Sequence, residues 1–246
     1  MRKKKILISI LAMLSVWVGF NLIIGVLLMN DFPEKIWLHR CNSMEKLYEQ
    51  GDEYPNVEVD VVFRKDRRFD VTHDADTSFN LSIDSYFSYM DKTDGRIWLD
   101  IKNLKAENKE VLLAELDRLV DSYHMEKDEL IIESANWKAL KLFTYNGYYT
   151  SYYVPFDKPR ELSDKELDAC IAKLQHIVDG KAVCALSFPS WWYSTIKEKL
   201  DRSIDLLTWK HRTTQFVLLA SPMGRQMLED PQLKVILVKD KGNYHR

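Results

Sequence analysis

The stretch that decides the fold is Val57-Glu58-Val59-Asp60-Val61, a run of valines interrupted by two acids. Side chains alternate between the two faces of a strand, so Glu58 and Asp60 share one face and the valines share the other. β-Branched residues favour strands, and the valine face needs apolar neighbours. We therefore expect a buried strand over residues 56–63 that presents two carboxylates to a pocket.

Three further segments follow the same pattern, in which a short apolar run ends in acidic, basic or cationic groups. They are Trp37-Leu38-His39-Arg40, Thr72-His73-Asp74 and Trp98-Leu99-Asp100-Ile101-Lys102. By the alternation of strand side chains, Asp100 and Lys102 share one face. Apolar runs that end in reactive groups are typical of buried parallel strands whose C-terminal tips surround a common site.

Strand-like and helix-like runs alternate along the rest of the chain. Strands are expected over 36–39, 56–63, 96–101, 129–133, 149–154, 182–187, 204–208 and 233–238, with a hairpin arm over 68–73. Helices are expected after Asn42 or Ser43 and over 107–123, 137–145 (capped by Ser134), 165–178, 191–200 and 214–220, where Pro222 stops the last. This alternation predicts a (β/α)₈ TIM barrel. A doubly wound open sheet is the alternative, although no glycine-rich turn follows the first strand.

The composition fits one α/β domain and argues against one class of binding partner. The chain has 246 residues, 46% of them hydrophobic, which is enough for a single barrel with a packed core. The formal net charge is −2, and four positive charges lie within residues 2–5, so the remainder is more acidic than the whole. An acidic body argues against nucleic-acid binding, which uses basic patches.

Residues 6–29 form an apolar run without a charge. At about 1.5 Å per residue, a helix of this length crosses a hydrocarbon core of about 30 Å. We expect residues 1–5 to be a basic cytoplasmic N-terminus, residues 6–29 a transmembrane anchor, and residues 30–246 a barrel on the outer side of the membrane. A cleaved signal peptide and a buried helix of a soluble domain are the alternatives. The short link to the first strand predicts a catalytic mouth that points away from the bilayer.

The residue types at the strand tips predict metal-assisted phosphodiester chemistry. Three carboxylates, those of Glu58, Asp60 and Asp100, offer the oxygen ligands that hard cations such as Mg²⁺ or Ca²⁺ prefer. Two imidazoles, His39 and His73, can act as general base and general acid near neutral pH.

Two cations complete the predicted set. Arg40 and Lys102 would neutralise charge on a bound phosphate, and both are therefore candidates for catalysis and for substrate binding. Lys210 follows the seventh predicted strand and so lies on the catalytic side of a barrel, where it is a candidate contact for a substrate phosphate.

At these residues the chain resembles the glycerophosphodiester phosphodiesterase-like family, within the phosphatidylinositol-phospholipase-C-like phosphodiesterases. That family shows His-Arg after strand 1, Glu-x-Asp-Val on strand 2, His-Asp soon after, and an acid-x-Lys pair on strand 3. The matching residues here are His39-Arg40, Glu58-Val59-Asp60-Val61, His73-Asp74 and Asp100-Ile101-Lys102, and weaker similarities are Ile131-Ile132-Glu133-Ser134 and Leu207-Thr208-Trp209.

The resemblance implies a (β/α)₈ barrel, a divalent metal on Glu58, Asp60 and Asp100, and an acid–base pair made by His39 and His73. It adds Trp209 as a substrate-binding candidate. The implied substrate is a small phosphodiester or a lysophospholipid-like molecule. The chain departs from the family pattern at Cys41-Asn42-Ser43, where Gly and then Glu-Asn-Thr are usual, and at Asp100, where Glu is usual.

Two alternative functions stay open at this point. A phospholipase-type lyase would stop at the cyclic phosphate product. A non-catalytic, membrane-tethered barrel would use the same pocket to bind phosphorylated ligands, but binding alone does not require two histidines at the strand tips.

Overall fold

A computed structural model describes residues 2–31, 33–210, 214–219 and 221–240. Its strands are β1 (Ile36–Leu38), β2 (Val57–Phe63), β3 (Phe69–Val71), β4 (Ile97–Ile101), β5 (Leu130–Ser134), β6 (Tyr149–Tyr153), β7 (Ala185–Pro189), β8 (Asp205–Trp209) and β9 (Leu233–Val238). All except β3 are parallel, and β1 pairs with both β9 and β2, which closes the barrel. The predicted TIM barrel is confirmed.

The first helix precedes the first strand, and the later helices lie in the connections between strands. They are α1 (Arg2–Asp31), α2 (Met44–Gln50), α3 (Asp84–Met90), α4 (Lys109–Ser122), α5 (Trp137–Tyr145), α6 (Asp164–Asp179), α7 (Tyr193–Lys199), α8 (Gln215–Leu219) and α9 (Pro222–Glu229). Local sequence explains their ends. Ser43 caps α2 by accepting from the Lys46 N–H, and Ser163 and Glu166 form a capping box at α6.

Alternating side chains divide the apolar residues into two clusters. Val57, Val59 and Val61 belong to the large cluster between the sheet and the helices, as the alternation predicted. The smaller cluster fills the barrel interior and consists of Trp37, Trp98, Ile131, Ala185, Leu207, Trp209, Val235 and Leu237. This interior layer forms the floor below the strand tips, so polar residues one step further along each strand face the mouth.

Several of the predicted helices and strands differ from those in the structure. The helix before Pro222 ends at Leu219, as predicted, but Pro222 is also the first residue of a second helix, α9, which was not predicted; proline is favoured there because it lacks an N–H. Asn136, not Ser134, caps α5, since its side chain accepts from the Ala139 N–H. The helix α3 was not predicted, and β7 lies at residues 185–189 rather than 182–187.

The N-terminal helix α1 carries one candidate membrane span, Lys4–Ile24, and only 6% of its most apolar window is buried. By length and composition it can cross a membrane, a test that signal sequences and core helices also pass. Side chains over residues 4–17 are exposed, whereas residues 18, 19, 22 and 24 are partly covered and Asn21 is buried. This covered part reflects contacts of α1 with α8 and α9. The helix therefore does not hang from the barrel as a free tether, which weakens the reason for expecting the mouth to point away from a bilayer.

Candidate active site

A cavity of about 390 Å³ opens at the C-terminal ends of the barrel strands. Its lining comprises His39, Arg40, Glu58, Asp60, His73, Trp98, Asp100, Ile101, Lys102, Glu133, Ala135, Tyr153, Trp209, Leu237 and Lys239. Every residue predicted at the tips of the first three barrel strands is therefore in one pocket. This is the end of a TIM barrel at which enzymes of this fold carry out catalysis.

Three carboxylates form the centre of this cavity. Glu58, Asp60 and Asp100 each offer an oxygen, and these oxygens all lie within 4.8 Å of one another. The strands explain the grouping, because Asp60 pairs with Asp100 in the register of β2 and β4 and Glu58 lies on the same face two residues earlier. An all-carboxylate donor set of this size fits a hard divalent cation.

The charges of the cluster lead to the same conclusion. Lys102 donates to Asp100 and contacts Asp60 at 2.5 Å, so one positive charge offsets part of three negative ones. Burial and the neighbouring carboxylates of Asp60 and Asp100 raise the pKa of Glu58. Burial also raises the pKa of Asp100, against the effect of Lys102. Like charges held this close in a buried site need a further cation if all three are to ionise.

Asp60 is held more firmly than its neighbours. The side chain of Asn42 donates to Asp60 Oδ2 at 2.7 Å and accepts from the Asp60 N–H at 3.0 Å. Burial raises the pKa of Asp60, but Lys102, Asn42 and Arg40 outweigh it and the pKa is lowered. Asn42, which the sequence offered as a possible helix cap, instead orients a carboxylate of the cluster.

The turn after β1 positions the first histidine. Arg40 has φ of 51°, a left-handed conformation that non-glycine residues rarely adopt. Two contacts hold it there: the Arg40 N–H donates to Glu58 Oε2 at 2.6 Å, and the buried Lys46 ammonium donates to the carbonyls of His39 and Arg40 at 2.8 and 3.0 Å. A strained turn fixed on both sides is typical of functional sites.

The two histidines occupy different environments. His39 is 9% exposed, and its Nε2 lies 3.7 Å from Glu58 Oε2. Burial and the positive charges of Lys239 and Arg40 lower the pKa of His39 to about 3, so its ring is neutral at neutral pH. His73 lies at the mouth with its side chain 45% exposed, between Asp74 and Arg40. A neutral buried ring and an accessible ring suit different steps of a proton transfer.

Cys41 borders the site but is a poor nucleophile. It is fully buried, and this burial raises the pKa of its thiol to about 12. The thiolate, which is the reactive form, is therefore scarce at neutral pH.

Sequence reasoning gave no role to a fourth acid, Glu133. It lies at the tip of β5 opposite Asp100 in the strand register, lines the cavity, and is 2% exposed. Burial and the charge of Asp100 raise the pKa of Glu133, and its Oε2 has no hydrogen-bond partner among the described residues. The sequence did carry a partial signal, an acid at the end of a predicted strand, but its position beside Asp100 depends on the register between β4 and β5.

The opposite wall of the cavity is aromatic. Trp209 stacks on Tyr153 with ring centroids 5.5 Å apart and an interplanar angle of 18°. Trp209 thus lines the pocket, as its selection as a substrate-binding candidate requires. Lys210 follows it at the end of β8, partly buried, and is not among the residues that line the cavity. The next two positions, 211 and 212, lie outside the described residues.

No protein-family model matches this sequence, and none of the curated proteins does. Solved structures do match the fold. A glycerophosphodiester phosphodiesterase from Parabacteroides distasonis aligns with a TM-score of 0.57 and 17% identity, covering 83% of this chain and 92% of that one. A glycerophosphoryl diester phosphodiesterase from Silicibacter pomeroyi gives a TM-score of 0.56 and 14% identity over 83% and 89% of the two chains.

A third structure adds a bound molecule. It is a phosphodiesterase from Oleispira antarctica in complex with the product sn-glycerol-3-phosphate, with a TM-score of 0.55 and 14% identity over 86% of this chain and 94% of that one. This chain has the fold of the glycerophosphodiester phosphodiesterases. At 14–17% identity the likeness establishes the fold, and the chemistry of this glycerophosphodiester-phosphodiesterase-like barrel rests on the residues of its own cavity.

Proposed function

We propose that this protein is a metal-dependent phosphodiester hydrolase of the glycerophosphodiester phosphodiesterase type. The observation that carries the proposal is the convergence of three carboxylates and two histidines on one cavity at the mouth of the barrel. The three carboxylates, of Glu58, Asp60 and Asp100, would hold Mg²⁺ or Ca²⁺. When bound, the cation supplies polarisation of the phosphate and offsets the charge that develops on it.

The protein groups then divide the remaining work. Arg40 and Lys102 bind the phosphate oxygens, and the flat aromatic wall of Tyr153 and Trp209 packs against the organic part of the substrate. Lys210 is a weaker candidate for a phosphate contact than Arg40 and Lys102, and it is proposed because it follows Trp209 directly in the chain. The substrate class that fits is a small phosphodiester or a lysophospholipid-like molecule.

Proton transfer follows from the environments of the two histidines. His39 is neutral and can take the proton from a hydroxyl next to the phosphorus, whose oxygen then forms a bond to phosphorus. His73, at the mouth, gives a proton to the leaving alkoxide as the old phosphorus–oxygen bond breaks. The product of this step is a cyclic phosphate, which water opens with the two histidines in exchanged roles.

We infer that α1 is an uncleaved, single-pass anchor with a cytoplasmic N-terminus, so that the barrel lies on the periplasmic or extracellular side. Four basic residues before the apolar run support this orientation, since basic flanks stay in the cytoplasm.

One assay tests the enzymatic proposal. The detergent-solubilised full chain would be incubated with a panel of glycerophosphodiesters and lysophospholipids, with Mg²⁺, with Ca²⁺ or with excess chelator, and products followed by ³¹P NMR. We expect a phosphomonoester product that depends on the metal. Accumulation of a cyclic phosphate alone would identify a lyase instead, and saturable binding without turnover of any panel member would identify a binding barrel.

A further inference from the structure

The covered part of α1 lies within the candidate membrane span rather than beyond it. The span ends at Ile24, while Asn21 is 2% exposed and residues 18, 19, 22 and 24 are partly covered. At about 1.5 Å per residue, Asn21 lies about 4.5 Å and Val18 about 9 Å inside the end of the span. Because α1 contacts both α8 and α9, we assign this cover to those two helices.

This geometry fixes a depth for α8 and α9. If α1 crosses a bilayer, the helices that contact it between Val18 and Ile24 must lie at the depth of those residues. Measured from Ile24, the end of the candidate span, this range is about 5–10 Å, which is the depth at which interfacial helices bury their apolar faces. The cover also shields the polar side chain of Asn21 from lipid.

The side chains on α8 and α9 suit that location. Phe216 is 62% exposed, Val217 46% and Met223 42%, while Leu218 and Met227 point the other way into the protein. The sequence of α8 carries no charge. Large apolar side chains left exposed together are unusual on a soluble surface, and here they lie on the two helices that contact α1, whose own Val16 is 73% exposed.

We propose that the surface formed by Phe216, Val217 and Met223 (the α8–α9 surface) inserts into the outer interface of the bilayer and seats one flank of the barrel on the membrane. The proposal rests on the proposed anchor role of α1. Its occupant is lipid, because the depth argument follows from α1 itself and requires no second protein. The consequence is a barrel held at two points rather than one.

Nitroxide labels on the full chain in vesicles of phosphatidylethanolamine and phosphatidylglycerol test the proposal. The background would carry Cys170→Ser and Cys184→Ser, because these two thiols are partly exposed and Cys41 is buried. Labels at Phe216→Cys and, independently, Val217→Cys should collide more with lipid-soluble oxygen than with a water-soluble nickel complex, at a depth of about 5–10 Å. Each variant's circular dichroism should match that of the parent.

Two matched positions make the outcomes distinct. Val16→Cys reports on α1, and Tyr145→Cys, 73% exposed at the end of α5, should remain in water. Aqueous labels at 216 and 217 beside a lipid-embedded label at 16 would overturn the proposal and leave the anchor intact. Labels at 216 and 217 shielded from both reagents would mean a protein partner, which also overturns it. An aqueous label at position 16 would remove the anchor and this proposal together.

Discussion

The guanidinium of Arg40 donates a hydrogen bond to Nε2 of His73 at a distance of 3.0 Å. Arginine has no acceptor, so His73 Nε2 must be unprotonated and the ring proton must lie on Nδ1. That proton points to Asp74, whose Oδ1 lies 2.7 Å from Nδ1. His73 is therefore held in one tautomer by a cation on one side and a carboxylate on the other. A phosphate that engaged Arg40 would release Nε2, which could then take up the proton that His73 gives to the leaving alkoxide.

The two histidines should both be needed for turnover. We expect His39→Ala and His73→Ala each to lower kcat by about 10²-fold or more, in line with typical general acid–base contributions. The fold should survive, and circular dichroism would show it. Steady-state kinetics on the best substrate of the panel is the measurement. Parental rates in either variant would remove that histidine from the mechanism.

Asp74 should affect the rate through His73. Asp74→Asn replaces the charged acceptor of the Nδ1 proton with a neutral amide, so we expect kcat to fall by about 10-fold with KM little changed, less than for loss of the ring itself. Asp76→Asn is the matched control, because Asp76 is a nearby exposed acid of the same loop with no bond to His73 among the described residues. Equal effects of the two substitutions would contradict a positioning role.

Activity should vanish in excess chelator and return with Mg²⁺ or Ca²⁺. Full activity in chelator would contradict the metal proposal.

The orientation of Asp60 should affect metal binding. Asn42→Ala should weaken metal binding by about 10–100-fold, the usual cost of losing a group that orients a ligand. Titration calorimetry measures this directly. Ser43→Ala is the control, since it removes the cap of the same helix without touching Asp60.

The buried Glu133 should make the metal-free protein lose stability as pH rises. Its pKa in the folded state is raised by burial and by Asp100, so the folded state retains a proton that the unfolded state releases above its ordinary pKa of about 4.3. The free energy of unfolding therefore falls with increasing pH through this window, by at most about 1.4 kcal/mol per pH unit from this group.

Glu133→Gln removes that loss. The variant should gain stability relative to the parent between pH 5 and pH 8 in chelator, as measured by thermal unfolding in detergent. His39 contributes with the opposite sign, because its pKa is lowered and its stabilisation is lost as pH falls below about 6.5, but it is present in both proteins and cancels. A difference between the two proteins that does not change with pH would contradict a protonated Glu133.

The inferred topology gives a labelling pattern in intact cells. In a background that carries Cys170→Ser and Cys184→Ser, a membrane-impermeant maleimide should react with Tyr145→Cys from outside and with Lys5→Cys only after permeabilisation, since both side chains are exposed. The mass of the protein should include residues 1–29. A shortened chain that washes off the membrane would instead identify the apolar run as a cleaved signal.

The sequence by itself determined the barrel and the site segments at the ends of β1, β2 and β4. Alternation on β2 places Glu58 and Asp60 on one face without any knowledge of neighbouring strands, because the period of a strand is fixed by backbone geometry. The order of strand and helix signals then allows few closed arrangements, and parallel strands bring their C-terminal tips together. The apolar run at the N-terminus needed only its length to be recognised as a candidate span.

Only the tertiary structure decided which side chains meet. The pairing of Asp100 with Glu133 depends on the register between β4 and β5, and the use of Asn42 by Asp60 rather than by a helix end depends on where α2 packs. The contact of α1 with α8 and α9 joins residues about two hundred positions apart. Such relationships arise from packing between segments that are distant in the chain. Local sequence patterns carry no information on the energies of that packing, so these contacts could not be predicted from the sequence alone.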